Sequence, residues 1–278
     1  MVNNFSPSIE FENYEFYYNL KGNKSVCITM DVDWAPDEIL KSVLDWFIDN
    51  QIKITAFITH ESEIAKEYSS SRFVEIALHP NFSKSLDPNE KVNQLLKIYP
   101  DSVGSRSHRN IIGRDFTDAL FENNIKYDSS KLIWKSKNVE ISPIYNKMVE
   151  APYIWEDGVH LELDETTNPF EMNFNHSGLK ILNIHPVLFY LNFVGFRQLK
   201  NFTSQFTDLT SVSKKKFDEV RQNTFGIGTF SKQMFLNLKN EGYDFFLLKE
   251  PCLLAYETYQ KKNPTLISNK WLSYENKI

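Results

Sequence analysis

Apolar runs alternate along the chain with segments whose apolar positions repeat at helical spacing. Segments rich in apolar and β-branched residues predict strands at 26–30, 54–59, 73–78 and 179–184. Between the strands, the apolar positions within 39–47 and 92–99 fall on one face of a helix. This alternation is typical of a parallel sheet covered by helices, and it predicts an α/β fold in which about seven parallel strands form a closed or nearly closed, distorted (β/α) barrel.

The rest of the chain adds shorter elements to this pattern. We expect extended segments at 102–105 and 126–128 and a helix at 114–123. Towards the end, Thr229 is predicted to cap a helix that stops at Gly242, with a last strand at 243–248. The stretch from about 135 to 178 breaks the rhythm and predicts irregular insertions over one end of the barrel. Without repeats or a linker, the sequence predicts a single domain, 1–278, with its core at about 25–250.

Composition excludes several classes of function. The net charge of −5, without a dense basic stripe, argues against a nucleic-acid partner, and the nine glycines form no phosphate-binding loop motif. Cys27 and Cys252 lie in apolar surroundings and are expected to be buried thiols. Residues 1–19 show no export-signal pattern and no stretch predicts a membrane span, so a cytoplasmic protein is expected. The oligomeric state is not indicated.

The candidate chemistry begins where the first predicted strand ends. Asp31 and Asp33 follow that apolar run one residue apart. Side chains alternate along a strand, so both carboxylates are expected on one side, at the rim where α/β folds bind ligands. One could ligate a metal ion while the other accepts a proton. The alternative is a solvated turn that caps the next helix.

Three of the six histidines follow predicted strand ends. His79, His108 and His185 are expected at the same rim as the two aspartates. One carboxylate and two imidazoles are a common ligand set for zinc or a similar divalent ion. Each histidine alone could instead be structural. His60 is interpreted mainly as a helix cap, with a small chance of lining the cleft, while His160 and His176 are expected at the surface.

The order of these motifs resembles that of the polysaccharide deacetylases, carbohydrate esterase family 4. The segment 29–34, Thr-Met-Asp-Val-Asp-Trp, resembles the first motif of that family. Further similarity lies at 54–59 (second strand), 75–80 (second motif), 105–108 (third motif, beginning with Arg), 182–186 (last motif) and 229–248 (closing helix and strand). The resemblance covers roughly residues 25 to 250.

The resemblance implies roles for individual residues. Asp31 would be the general base, His185 would protonate the leaving amine, and Arg106 would keep Asp31 ionised and oriented. Asp33 and His79 would bind the metal ion. The implied cofactor is one divalent metal ion, with zinc as the first choice.

Aromatic and acidic residues near the rim are assigned to substrate binding. The similarity implies that Trp155 and Asp157 wall the cleft and tune His185. Trp34 is expected to pack on a sugar ring. Aromatic residues of this kind often belong to the core instead.

One position departs from the family pattern. The second motif normally has two histidines four residues apart, but Ser83 stands at the second position here. We expect His108 to supply the missing ligand from the neighbouring strand end. The alternatives are a weak two-residue site or a protein that has lost activity.

The leading hypothesis is therefore a metal-dependent hydrolase that removes an N-acetyl group from a carbohydrate, an intermediate of surface-polysaccharide biosynthesis. A second hypothesis is a hydrolase of another non-peptide C–N bond in a small metabolite. A third is a catalytically inactive, glycan-binding relative. Metal content would separate the third hypothesis from the two enzymes.

Overall fold

The computed structural model describes residues 24–83, 87–144, 148–163, 174 and 176–262. These residues form one ten-stranded sheet with helices around it. The strands are β1 (Lys24–Asp33), β2 (Ile54–Ile58), β3 (Val74–Leu78), β4 (Gly104–Ser105), β5 (Tyr127–Asp128), β6 (Ser142–Ile144), β7 (Met148–Glu150), β8 (Trp155–Glu156), β9 (Gly178–Ile184) and β10 (Asp244–Phe246). Residues 1–19, in which the sequence shows no export-signal pattern, lie outside the described residues.

β1 is the centre of the sheet. The strand order is β6-β7-β5-β4-β3-β2-β1-β9-β8, and β10 pairs with the first half of β1. Every pair of neighbouring strands in the described residues is parallel except β6 and β7. The carboxyl ends of β1, β3, β4 and β9 therefore meet at one rim of the sheet, and we call this edge the carboxyl rim.

Helices follow most strands and cover the sheet. They are α1 (Asp37–Asp49), α2 (Glu63–Tyr68), α3 (Pro88–Ile98), α4 (Arg114–Glu122), α5 (Asp157–Leu163), α6 (Pro186–Leu191), α7 (Phe196–Thr203), α8 (Lys214–Val220), α9 (Ile227–Asn240) and α10 (Lys249–Lys262). α1 shows why they form: acidic Asp37 and Glu38 occupy its first turn, favourable to the helix dipole. Its apolar face is buried against the sheet and the neighbouring α6.

The predicted fold class is confirmed: the sheet is mostly parallel and curls into a distorted (β/α) barrel. The segment 135–178, in which the sequence shows only irregular loops, also contributes β6, β7 and β8 to both edges of the sheet. Between 186 and 220 the structure contains three short helices that the apolar pattern does not reveal. The single-domain assignment stays a prediction.

Two local expectations have clear outcomes. Cys27 and Cys252 are buried free thiols, as predicted. The last apolar segment, 243–248, is a strand only over Asp244–Phe246, and α10 begins at Lys249. A short apolar run does not distinguish a strand from the approach to a helix.

Candidate metal and catalytic site

The end of β1 delivers two carboxylates to the carboxyl rim, through a bulge. The pairing with β2 shifts register between Asp31 and Asp33, and Asp33 has a left-handed backbone with φ 49°. Aspartate tolerates this conformation better than most residues do. The carbonyl oxygen of Asp33 accepts hydrogen bonds from the Thr59 hydroxyl and from His60 Nδ1. Simple strand alternation therefore predicts the edge at which the two residues lie but not the bulge between them.

Asp33 lies against two of the predicted histidines. Its Oδ1 is 3.3 Å from His79 Nε2 and 2.9 Å from His108 Nδ1. One ligand atom from each of these three residues lies within 4.8 Å of the others. The His79 Nδ1 atom donates to the carbonyl oxygen of Arg106 at 2.7 Å, which fixes the ring and leaves Nε2 as the nitrogen that faces Asp33. An Asp-His-His cluster with one ring oriented in this way fits a divalent cation.

The charge state of Asp33 suits this arrangement. Burial alone would raise the pKa of its carboxyl group, but hydrogen bonds from His108 and His79 outweigh burial and lower the pKa. The carboxylate is therefore ionised at neutral pH, as a metal ligand must be. Ser83, at the position of the usual second histidine, is exposed and hydrogen-bonds Asn81 instead.

Asp31 forms a buried pair with Arg106. The Arg106 Nη1 atom donates to Asp31 Oδ1 at 2.8 Å, and the arginine side chain is completely buried. Burial raises the pKa of Asp31, but the Arg106 charge opposes it and the net shift is downward. The predicted partner of Asp31 is thus in contact with it, and the carboxylate is held ionised.

Arg106 itself is fixed on all sides. Its guanidinium lies between the Phe57 and Tyr153 rings, 4.4 and 4.2 Å from their centroids. Its remaining N–H groups bind Ser129 through the carbonyl and the hydroxyl oxygens, both at 2.9 Å. Arg106 Nη1 also donates to Thr29 Oγ1 at 2.9 Å. An arginine held in this way presents Asp31 in one orientation.

His185 forms the second pair, with Asp157. The His185 Nδ1 and Asp157 Oδ1 atoms are 2.7 Å apart, and the backbone N–H of His185 donates to Asp157 Oδ2 at 2.8 Å. Burial lowers the pKa of His185, but the charge and hydrogen bond of Asp157 outweigh burial and raise it well above 6.5. His185 Nε2 lies 3.9 Å from Asp33 Oδ2. A protonated nitrogen therefore faces the same space as the cluster.

A cavity of about 670 Å³ adjoins this group, a volume within the range of small-ligand sites. Asp33, Glu156 and His185 contribute polar groups to its lining, and Phe196 and Phe206 are among its apolar walls. Trp34, predicted to contact substrate, also lines it and packs edge-on against His108, with ring centroids 4.9 Å apart. The predicted site thus adjoins a cavity large enough for a small ligand.

Two predicted positions need correction. Trp155 is fully buried: its ring stacks on Phe230 and its indole N–H donates to His160 Nδ1 at 3.2 Å. It therefore belongs to the core, and its partner His160 is buried too, not at the surface. Asp157 is also fully buried and contacts His185, so its place is behind the histidine rather than in the cleft wall.

Sequence reasoning missed several residues of the site. Glu156 reaches the cavity next to His185, and Asn183 accepts a hydrogen bond from Arg106 Nη1. Asn183 occupies a strand otherwise made of apolar residues and Lys180, two residues before His185. A polar residue inside a buried strand is the signal that could have identified it.

A family model for WbmS-like polysaccharide deacetylases matches residues 28–203. This range includes the Asp33-His79-His108 cluster and both flanking pairs, Asp31 with Arg106 and His185 with Asp157. The chain belongs to the WbmS-like polysaccharide deacetylase family. The resemblance inferred from the motifs is thereby confirmed.

The fold is supported by one solved structure of a family member, and two further structures show weaker similarity. WbmS of Bordetella bronchiseptica, described as involved in O-antigen biosynthesis, is 23% identical, with a TM-score of 0.67, over 78% of this chain and 91% of its own. A family 4 carbohydrate esterase of Bacillus anthracis is 13% identical over 87% of this chain and 94% of its own, with a TM-score of 0.41. A family 4 pseudoenzyme of the same organism is 12% identical over 83% and 66%, with a TM-score of 0.43. No curated protein sequence matches the chain.

None of the helices in the described residues combines the length and the apolar character that crossing a membrane requires.

Proposed function

We propose that this WbmS-like polysaccharide deacetylase is a metal-dependent hydrolase that removes an N-acetyl group from a carbohydrate. The observation that carries the proposal is the Asp33-His79-His108 cluster, flanked by an ionised carboxylate on one side and a protonated imidazole on the other. Amide hydrolysis needs a base to activate water and an acid to protonate the leaving nitrogen. The two flanking pairs have the charge states that these two tasks require.

Asp33, His79 and His108 would hold the cation. When bound, a divalent cation supplies Lewis-acid polarisation of a carbonyl group and makes water more acidic. Zinc is our first choice, because an Asp-His-His ligand set is typical of zinc sites that keep a position open for substrate.

The proton transfers belong to the two flanking pairs. We assign to Asp31 the role of accepting the proton of the attacking water, with Arg106 keeping it ionised and in place. His185 donates its Nε2 proton to the departing nitrogen, and Asp157 fixes the tautomer by bonding Nδ1. Each catalytic side chain thus has one buried partner that sets its orientation and charge.

The carbohydrate substrate is inferred from the family and from the cavity. Trp34 lines the cleft, and aromatic side chains pack well on sugar rings. Because the Bordetella relative is described as involved in O-antigen biosynthesis, we extend the proposal to an intermediate of surface-polysaccharide assembly. The expectation that this step takes place in the cytoplasm, within a single domain, stays part of the proposal.

The test combines metal analysis with assay of acetate release. Purified protein should contain about one divalent ion per chain, and a chelator should abolish acetate release from N-acetylated amino sugars. Asp31→Asn should lower activity by about 10²- to 10⁴-fold, the range for loss of general base catalysis, while metal content stays unchanged. Protein without metal would support the inactive, glycan-binding alternative, and activity that survives Asp31→Asn would remove Asp31 from the mechanism.

A further inference from the structure

Glu156 is a carboxylate of the site for which the mechanism above has no use. It is the last residue of β8 and pairs in register with Asn183 of β9, two residues before His185. It lies next in sequence to Asp157, the partner of His185. Glu156 is only partly buried, and it lines the cavity together with Asp33 and His185.

Only one of its two carboxylate oxygens is engaged by the protein. Oε2 accepts a hydrogen bond from the Tyr153 hydroxyl at 2.7 Å, and that hydroxyl in turn accepts one from Asn110 Nδ2 at 2.6 Å. In the part of the chain that the structure describes, no group donates to Oε1, and no lysine or arginine pairs with Glu156. The protein therefore fixes the carboxylate but leaves one acceptor open.

The open oxygen and the His185 ring both lie beside Gly158. A Cβ atom built on Gly158 would lie 3.4 Å from Glu156 Oε1 and 3.8 Å from His185 Cε1. The absence of a side chain at Gly158 keeps this space free, and all three residues line the cavity. Oε1 and the imidazole edge that carries the acidic proton thus border the same small volume.

Burying the charged Glu156 carboxylate costs free energy, and a ligand that donates a hydrogen bond to it could offset that cost. Burial raises the pKa of Glu156, and the charges of Asp31 and Asp157 add to that effect, whereas the charge of His185 opposes it. An ionised carboxylate oxygen only accepts hydrogen bonds. A molecule that fills the cavity would displace water from Oε1, and a donor on that molecule would have to replace the lost hydrogen bond.

We propose that Glu156 is a specificity-determining residue whose Oε1 accepts a hydrogen bond from a hydroxyl or acylamino N–H of the substrate. This inference rests on the proposed function, because His185 then marks the leaving nitrogen. A donor beside that nitrogen belongs to a substituent on the adjacent ring carbon. The preferred substrates are N-acylated sugars with such a donor there, and a phosphate or carboxylate at that carbon is repelled.

The experiment compares two probes and three proteins. The probes are the methyl glycoside of N-acetylglucosamine and its 3-deoxy analogue, which lacks the neighbouring hydroxyl. The proteins are the wild type, Glu156→Gln and Glu162→Gln, a matched control because exposed Glu162 also lines the cavity. Glutamine can still accept from Tyr153 but offers the substrate a donor in place of an acceptor.

We expect wild type and Glu162→Gln to prefer the hydroxyl probe by about 10- to 100-fold in kcat/KM, the range for a hydrogen bond to a charged group. Glu156→Gln should lose this preference, with an unchanged metal content. If Glu156→Gln slows both probes equally and keeps the preference, Glu156 is merely structural and the inference is wrong.

The role of Glu156 can be tested even if the proposed deacetylase activity is wrong. If the wild type releases acetate from neither probe, calorimetric affinities of the two probes replace kcat/KM. The inference then requires that Glu156→Gln reduces affinity for the hydroxyl probe to that of the deoxy probe. Equal affinity of the wild type for both probes would overturn it.

Discussion

Carboxylates lie at both ends of the parallel sheet, and their surroundings differ. At the amino end of β3, Glu75 accepts hydrogen bonds from the Thr55 and Tyr127 hydroxyls and from the backbone N–H of Lys249, at 2.7 to 2.9 Å. At the carboxyl rim, Asp31 and Asp33 face an arginine, two histidines and a cavity. We call the first group the amino-end cluster.

The amino-end cluster is satisfied by the chain alone. It joins β2, β3 and β5 to the start of α10. The space beside the Tyr127 ring is also filled, because a Cβ atom added to Gly104 would lie 1.8 Å from Tyr127 Cζ and collide with the ring. At the rim, no group among the described residues donates to Glu156 Oε1, and the Asp33, His79 and His108 side chains contact one another around a possible cation site. In barrels of this kind, groups at the amino end serve stability and groups at the carboxyl end serve chemistry.

Replacing His108 should have the largest effect on metal binding at the carboxyl rim. His108→Ala removes one of three proposed ligands, so metal affinity should fall by more than the roughly 10- to 100-fold that loss of a ligand's outer hydrogen-bond partner costs. Activity should fall with it. Titration with zinc, followed by metal analysis, measures the change. Ser83→Ala is the control and should bind metal like the wild type; equal losses in both variants would remove His108 from the ligand set.

Replacing Asp157 changes the pH dependence of activity. The pKa of His185 is raised well above 6.5 because Asp157 outweighs burial, so the general acid stays protonated to a higher pH than an ordinary imidazole does. Asp157→Asn removes that charge and lowers this pKa, so activity should begin to decline at a lower pH on the alkaline side, with kcat reduced by about 10²-fold.

The measurement is a pH profile of kcat. Asp208→Asn, a change of the same type at another residue lining the cavity, should leave the profile in place. An alkaline limb that does not move in Asp157→Asn would show that His185 is not the group that must be protonated.

The amino-end cluster should give the smallest change in activity. Glu75→Ala leaves two hydroxyls and one N–H unpaired, and each buried unsatisfied group costs about 1–3 kcal/mol. The free energy of unfolding in urea should fall accordingly, while kcat/KM of the folded protein stays close to that of the wild type. Exposed Glu219→Ala is the control, with a change within about 0.5 kcal/mol. A selective loss of activity in Glu75→Ala would contradict the assignment of the amino-end cluster to stability alone.

The strand ends could be predicted from the sequence because the parallel order follows from the alternation of strands and helices. Once β1, β3, β4 and β9 are parallel, the residues after them must meet at one edge. His108 could be proposed as a ligand for this reason, although the family motif points to position 83. The bulge at Asp33 could not be foreseen, because nothing in the tripeptide distinguishes a straight strand from one that turns.

Burial within the irregular segment could not be predicted. The resemblance implies a place for Trp155 in the cleft wall, yet its N–H is satisfied by His160 inside the core. The helices α6 to α8 have six to eight residues each, too few turns for a periodic pattern to emerge. In both cases long-range packing, which the local pattern does not contain, decides the outcome.

The most direct test of the central claim is anomalous diffraction from crystals of the protein grown with zinc. We predict one peak at the carboxyl rim, with Asp33 Oδ1, His79 Nε2 and His108 Nδ1 at about 2.0–2.2 Å from the ion. A peak bound by other residues, or no peak between these three side chains, would contradict the account.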